Sequence, residues 1–384
     1  MTFSSLNVKA KRYIFLHMIY SVLIISGVFL PVYLFNLNFT LVEVGALFSL
    51  AGLAEVIFTY AAGKLLDRIP CNYGLAFIDF FGALSSFVYS LSQSYFHIIA
   101  GQLLEKAGWI FNTSYTVYEN EAYKKDYETI YQYHLMCPEI IQLFAFPILG
   151  FLLTYVFTSL TAYRSFYMLI GVADLVVIFY ILRILPRVAP AVSFEKKFKF
   201  TIPQKLYLVV FAEVLLVFGN AVGSQFILVY YILKNLQGTF FTVTLVEAVV
   251  SSAIILTILT TLNQKPEPIK AARYGIFLMI VYATLMSWAP TVWVIFIAYF
   301  LLSVGHSLWF PRHRTLVMKQ IPQERRGEIL GTIASLNKLA GIIAPFFASV
   351  IALKIYVLAP FVVQLIIFGG ISFIYGRIGQ NIID

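Results

Sequence analysis

The sequence predicts an all-α integral membrane protein of twelve transmembrane helices, arranged as two six-helix bundles with pseudo-twofold symmetry. Three observations predict it. The chain is 60% hydrophobic and 12% charged, with a mean hydropathy of +0.86, against about 45–50% apolar and about 25% charged in soluble domains. Apolar stretches of about 20 residues, each long enough to cross roughly 30 Å of hydrocarbon as a helix, recur along the whole length. The positive charges collect in every other connection between those stretches, on one side of the membrane, as retention of Lys and Arg in cytoplasmic loops requires.

The first span, 13–35, follows Lys9, Lys11 and Arg12; it is too long for a signal peptide and lacks a small-residue cleavage site, so it reads as retained. Spans 41–62 and 73–93 flank a short charged segment, 63–70. An acid and two bases do not sit cheaply in hydrocarbon, so this segment must emerge at a membrane face. Spans 95–118, 130–155 and 161–185 complete the first half. The longest polar interruption, 186–204, comes next, with Pro186, Pro190, Pro203, Lys196, Lys197 and Lys199. Its helix-breaking prolines and its bases read as a cytoplasmic linker between bundles 1–185 and 205–384. The second half carries spans 205–233, 240–262, 272–289, 291–311, 327–350 and 355–376.

With both termini cytoplasmic, only Arg164, Lys234 and Lys354 lie in outer loops and Lys106 and Lys338 within spans, which leaves 22 of 27 bases inside. A wrong span count would scramble that asymmetry. The net charge of +9 therefore belongs to one membrane face, where it holds topology against anionic lipid, and points to the bilayer rather than to nucleic acid as its partner. Cys71 and Cys137 lie toward the cytoplasmic side, where disulfides rarely persist. Asn38-Phe39-Thr40 matches a glycosylation acceptor, in a loop too short to stand clear of the bilayer.

The halves echo one another. Phe146-Pro147-Ile148 aligns with Ala344-Pro345-Phe346 at an offset of 198 residues, and the same offset carries Pro70 onto Pro268. Thr40-Leu41-Val42-Glu43 recurs as Thr244-Leu245-Val246-Glu247, and both are expected to open an even-numbered helix. Internal repeats are how many transporters are built.

Gly63, Leu65, Asp67 and Arg68 match the G-x-L-x-D-R signature between the second and third helices of the major facilitator superfamily, which the chain resembles over its full length. Pro322-Gln323-Glu324-Arg325-Arg326-Gly327, with Gly331, Asn337, Gly341 and Pro345, is similar to that family's loop and helix after the tenth span, and Pro147-Ile148-Leu149-Gly150 to the tail of the G-P-x-x-G signature of exporters. The chain departs from the pattern at Pro70, Cys71 and Asn72, where a glycine and two bases are usual, at Phe146 in place of glycine, and at Gln102, nearest to where the fourth helix often carries arginine. The resemblance implies a gate in which Asp67 meets the N-terminus of the helix starting near Gly327, a contact worth about 0.3–2 kcal/mol, and Arg68 pairs with Glu119 or Glu121.

The fourth span carries Gln102, Glu105, Trp109, Asn112, Thr116 and Glu119 at spacings of 3, 4, 3, 4 and 3, which in one continuous helix would form one face. A centrally placed charge facing lipid would cost roughly 2.5–3.5 kcal/mol or more, so such a stripe must meet water or protein. Polar companions at helical spacing are His17, Tyr20 and Ser21 in the first span, Gln132, Glu139 and Gln142 in the fifth, Glu213, Asn220 and Ser224 in the seventh, His306 and Trp309 in the tenth, and Ser335 and Lys338 in the eleventh. Glu55, Asp79, Glu105, Glu139 and Asp174 lie in spans of the first half against Lys106 alone. One base cannot neutralise five acids, and burial disfavours ionised carboxyls, so proton exchange, first at Glu105 and Glu139, is the coupling expected. A structural bridge from Lys106 to Glu139 or to a neighbour of Glu105 is the alternative. His17 and His306 have no metal-ligand spacing around them in the sequence and read as packing residues. Trp109 and Trp309 fall in matching helices of the two halves and would wall a cavity for an amphiphilic or cationic solute.

No nucleotide-binding loop and no nucleophile-base set is present in the sequence, so neither an ATP-driven pump nor an enzyme is indicated, and no cofactor is expected. The reading is a secondary active transporter in the cell membrane, moving a small organic solute by alternating access, proton-coupled and exporting. Uptake of a sugar, organic acid or peptide would use the same mechanics. A non-transporting receptor or scaffold is the reading from another class, and the short loops disfavour it.

Overall fold

Capping chemistry marks where the chain enters its first helices. The computed structural model describes residues 6–66, 69–123, 127–188, 202–261, 267–321 and 326–383. Helix α1 (Val8–Leu23) starts at Asn7, whose side-chain oxygen accepts from the Ala10 amide at 2.8 Å, and it continues past Ile24 into α2 (Ile25–Asn36). Helix α3 (Leu41–Leu66) opens on a capping box: the Thr40 amide and hydroxyl donate to the Glu43 carboxylate at 2.7 and 2.8 Å, and the Glu43 amide donates back to the Thr40 hydroxyl at 3.3 Å. Pro70, which lacks an N–H, sits at the N-cap of α4 (Cys71–Ser90), where no intrahelical bond is lost. The rest of the first half is α5 (Tyr95–Trp109), α6 (Thr113–Ala122), α7 (Tyr127–Phe151), which runs into a π turn at Leu152–Val156, and α8 (Leu160–Arg183).

The second half contains α9 (Tyr207–Val222), α10 (Gln225–Tyr230) with a π turn at Tyr231–Asn235, α11 (Phe240–Thr261), α12 (Pro268–Met286), α13 (Val292–Gln320), α14 (Arg326–Lys354) and α15 (Ala359–Ile383). Pro147 and Pro345 lie inside α7 and α14, and Pro70 and Pro268 stand at the starts of α4 and α12. The tetrapeptide echo is not structural. Thr40–Glu43 caps α3, whereas Thr244 lies a turn inside α11 with its hydroxyl on the Phe241 carbonyl at 2.8 Å, and Glu247 accepts from the Gln225 amide nitrogen at 2.7 Å.

Ten helical segments among the described residues are long and apolar enough to cross a membrane, and Leu41–Leu53 is a shorter apolar helix within α3. Large apolar side chains such as Ile148, Leu169, Val176, Phe179 and Phe277 stand exposed on them, as lipid contact requires. The expected continuous span 95–118 is divided between α5 and α6. Its cause is local. A Cβ on Gly108 would lie 2.9 Å from the Ile78 carbonyl, so α5 runs backbone-close to α4 there. The amides beyond it then turn tightly, Phe111 to the Gly108 carbonyl at 3.0 Å, Asn112 to Trp109 at 3.2 Å and Ser114 to Phe111 at 2.9 Å. Bonds of this i to i+3 type tighten the coil and rotate α6 out of register with α5.

The chain separates into two units: Met1–Asn38 with Leu50–Glu195, and Phe39–Ser49 with Lys196–Asp384. In the first, α4 packs on α5 and α8, and α1 packs on α7. In the second, α12 packs on α13 and α15, α11 on α13, and both α14 and α15 on α9. Two glycines of the second unit bring backbones into close approach. A Cβ on Gly275 would lie 2.5 Å from the Gly305 carbonyl, and one on Gly305 would lie 2.6 Å from the Gly275 carbonyl. Small residues let backbones meet where no hydrophobic driving force presses helices together in lipid.

Residues 186–188 are bound into the first unit rather than free. Buried Asn72 donates through its side-chain amide to the Leu185 carbonyl at 3.2 Å and to those of Ile181 and Pro186 at 3.4 Å, and its oxygen accepts from the Val188 amide at 3.0 Å. The Cys71 amide donates to the Val188 carbonyl at 3.2 Å and the Tyr118 hydroxyl to that of Pro186 at 2.9 Å. The departure from the family signature at Asn72 therefore supplies side-chain bonds that tie α4 to the end of α8, to which Cys71 adds only its backbone amide.

Candidate functional site

Among the described residues, each unit contains a polar cluster that draws on several helices. In the second unit α9 supplies Glu213, α13 His313, α14 Asn337 and α15 Tyr375. The Glu213 carboxylate lies 3.1 Å from His313 Nε2 and accepts from the Asn337 amide at 2.8 Å; His313 Nδ1 lies 2.6 Å from the Tyr375 hydroxyl. Trp309, one turn before His313, stacks on its ring with centroids 4.2 Å apart. The carboxylate is thus held by two donors, and the imidazole is clamped from the face by an indole and from the far nitrogen by a phenol. The His313 side chain is 3% exposed and that of Glu213 23%.

In the first unit α1, α6 and α7 bring together His17, Glu119 and His134. His134 Nε2 lies 3.8 Å from the Glu119 carboxylate and its Nδ1 lies 2.7 Å from the Tyr123 hydroxyl. The His17 ring meets that of His134 with centroids 4.2 Å apart and is surrounded by Tyr13, Tyr20 and Tyr115. Deeper along α4, buried Asp79 accepts from the Tyr20 hydroxyl at 2.7 Å.

The other candidates are dispersed. Glu105 faces α4 and α5 neighbours, accepting from Gln102 at 3.1 Å and from the Tyr89 hydroxyl at 3.4 Å. Lys106 reaches Glu55 at 4.0 Å, so the bridge expected toward Glu139 goes to α3. Glu139 and Gln142 are partly buried on α7, and Lys338 is partly buried on α14. Asn112 lies in the turn between α5 and α6, so the stripe from Gln102 to Glu119 does not run along one continuous helix; within α5, Gln102 is 1% exposed and Trp109 40%. Trp309, by contrast with Trp109, is 1% exposed, and the two do not occupy matching environments. Asn220 Oδ1 lies 3.5 Å from the Gln364 side-chain nitrogen, and His306 stacks on Phe310 at 5.5 Å. Gly63 and Leu65 lie near the end of α3 and Gly327 at the start of α14, while Asp67 and Arg68 lie outside the described residues. Glu121, expected as a partner of Arg68, pairs with Lys9 at 3.6 Å.

Sequence reasoning missed His134 and His313. The signal available for His313 was its place one turn after Trp309, hidden by the flanking Arg312 and Arg314. For His134 it was Tyr131 at i−3, whose ring stacks on the imidazole at 5.7 Å.

The family model described as Major Facilitator Superfamily matches residues 141–345. No curated protein sequence matches the chain. Among solved structures, the human organic anion transporter MFSD10 (TETRAN) is similar at 15% identity, covering 94% of this chain and 97% of that one, with a TM-score of 0.67. A bacterial homologue of the iron transporter ferroportin, in an inward-facing state, is similar at 15% identity over 95% and 98%, with a TM-score of 0.70. A POT family transporter in complex with a thioalcohol-conjugated peptide is similar at 13% identity over 97% and 96%, with a TM-score of 0.74. At these identities the likeness is one of fold.

Proposed function

Because the chain belongs to the Major Facilitator Superfamily, and is an integral membrane protein with a transporter fold, we propose that it moves a small organic solute by alternating access with a proton as the coupling ion. In this reading twelve spans form bundles 1–185 and 205–384 joined by linker 186–204, with both termini cytoplasmic in the cell membrane, and the direction is export. The gate formed by Asp67, Arg68 and the start of α14 is part of it.

The observation that carries the proposal is the Glu213–His313 pair, 3.1 Å apart, with Asn337 and Tyr375 completing its hydrogen bonds. His313 is buried at the end of the apolar segment Val292–Arg314, and a net charge left uncompensated in such a buried place is costly. The pair avoids that cost whether its proton sits on the imidazole, beside an ionised carboxylate, or is shared between neutral groups. A second proton arriving, or the first leaving, breaks this balance. Solute of matching charge, or a change of exposure, then restores it, and this is how a proton gradient becomes work on a solute.

The test begins with a thermal-stabilisation screen for a solute and continues in proteoliposomes under an imposed pH gradient, with an entrapped pH indicator. Wild type is expected to drive the solute against its gradient and to move protons with it. Glu213→Gln is expected to retain solute exchange at equal pH while losing gradient-driven accumulation. Gradient-driven transport by Glu213→Gln equal to that of wild type would remove this pair from the mechanism.

A further inference from the structure

We propose that His17, Glu119 and His134 form a binding site for a divalent transition-metal cation inside the first unit. Each offers one ligand atom, and the three lie within 4.8 Å of one another. Metal–nitrogen and metal–oxygen bonds of about 2.0–2.2 Å place tetrahedral ligands about 3.3 Å apart, so rotations that draw the groups together by at most about 1.5 Å close the site. Two imidazoles and one carboxylate suit zinc and the neighbouring first-row ions. Magnesium and calcium, which take oxygen ligands, are disfavoured by the same set.

Two further observations point to a ligand. The Nε2 atom of His17 is buried and has no hydrogen-bond partner among the described residues. A buried nitrogen left that way costs about 1–3 kcal/mol, which a metal bond removes. His134 is already oriented as a ligand: the Tyr123 hydroxyl lies 2.7 Å from its Nδ1, which leaves Nε2 turned toward Glu119 at 3.8 Å. An outer partner on the far nitrogen of a metal-binding histidine sets its tautomer and ring plane.

The surroundings complete the case. Tyr13 stacks on Tyr118 at 4.6 Å and lies edge-on to His17 at 4.7 Å, so aromatic rings line the cluster, in which Glu119 and His134 are buried and His17 partly so. The ligands come from three helices, α1, α6 and α7, and an ion held by all three would lock them together. The site is independent of the Glu213–His313 pair, and its test does not require transport.

The experiment uses full-length protein purified in detergent without a polyhistidine tag and stripped with a chelator. Cobalt(II) is added first, read by its visible d–d bands, and then zinc, read by competition with a chromophoric chelator and by elemental analysis. Wild type is expected to bind one ion per chain with a dissociation constant below about 10 μM. His17→Ala and His134→Ala are each expected to weaken binding by at least about 100-fold, and Tyr123→Phe, which keeps all three ligands, by about 10-fold or more. His97→Ala and His306→Ala should bind as wild type does. Zinc should raise the melting temperature of wild type and leave that of His17→Ala unchanged. Absence of zinc binding tighter than about 10 μM in wild type overturns the proposal, as does undiminished binding in His17→Ala or in Tyr123→Phe. If the alanine variants fail to purify as monodisperse protein, Tyr123→Phe and the wild-type stoichiometry decide.

Discussion

Removing the Asn72 side chain should free the segment immediately after α8. Asn72 is 3% exposed and its amide group serves four backbone groups, of which the Val188 amide at 3.0 Å and the Leu185 carbonyl at 3.2 Å are the best placed. At a net contribution of about 1–1.5 kcal/mol each, the two bonds account for about 2–3 kcal/mol of local stability. At 1.4 kcal/mol per factor of ten, Asn72→Ala should raise the opening equilibrium of residues 186–188 by about 30- to 140-fold. Hydrogen exchange followed by mass spectrometry reads this directly, because the Val188 N–H loses its acceptor on α4 and opens locally. Asn72→Asp keeps an acceptor for Val188 and loses the donor to Leu185, so its effect should fall between wild type and alanine. Val188 protection in Asn72→Ala equal to that of wild type would refute the reasoning, since no other change tests the same bond so closely.

Other perturbations have outcomes of definite sign. Gly275→Leu places a side chain where a Cβ alone would stand 2.5 Å from the Gly305 carbonyl, and should cost about 1–3 kcal/mol or more; a lowered melting temperature in detergent checks it. Gly341→Ala, at a position with nothing within 4 Å of the added Cβ, is the control and should melt close to wild type. Thr40→Val removes half of the capping box of α3 and should cost about 0.5–2 kcal/mol, visible as faster amide exchange at Glu43 and Val44.

Hydropathy and the placement of Lys and Arg made the helical membrane architecture legible, because both report on a bilayer, a solvent whose demands are uniform along the chain. The candidate site was legible only in part. Glu213 was legible as a polar residue in an apolar span and Glu119 as part of the fourth-span stripe, but their partners His313 and His134 come from other helices, and no local spacing encodes a contact such as that of Glu213 with His313, 100 residues away. His17 was read as a packing residue for the same reason: its companions lie on α6 and α7. The stripe from Gln102 to Glu119 failed differently. Periodicity assumes an unbroken coil, and the close approach of Gly108 to the Ile78 carbonyl ends that coil through a packing contact invisible to any count of spacings. The Thr40 and Thr244 peptides are alike in letters and unlike in role, because whether a threonine caps a helix depends on where the preceding residues turn.

The crossing of Gly275 and Gly305 also supplies a ruler. Backbones that approach this closely interlock and resist sliding, so α12 and α13 are expected to travel as one piece through a cycle of exposure. A pair of spin labels at the exposed positions Tyr274 on α12 and Ile297 on α13 would then hold a single separation in every conformation the protein visits. Against that fixed length, changes in all other measured distances acquire a scale.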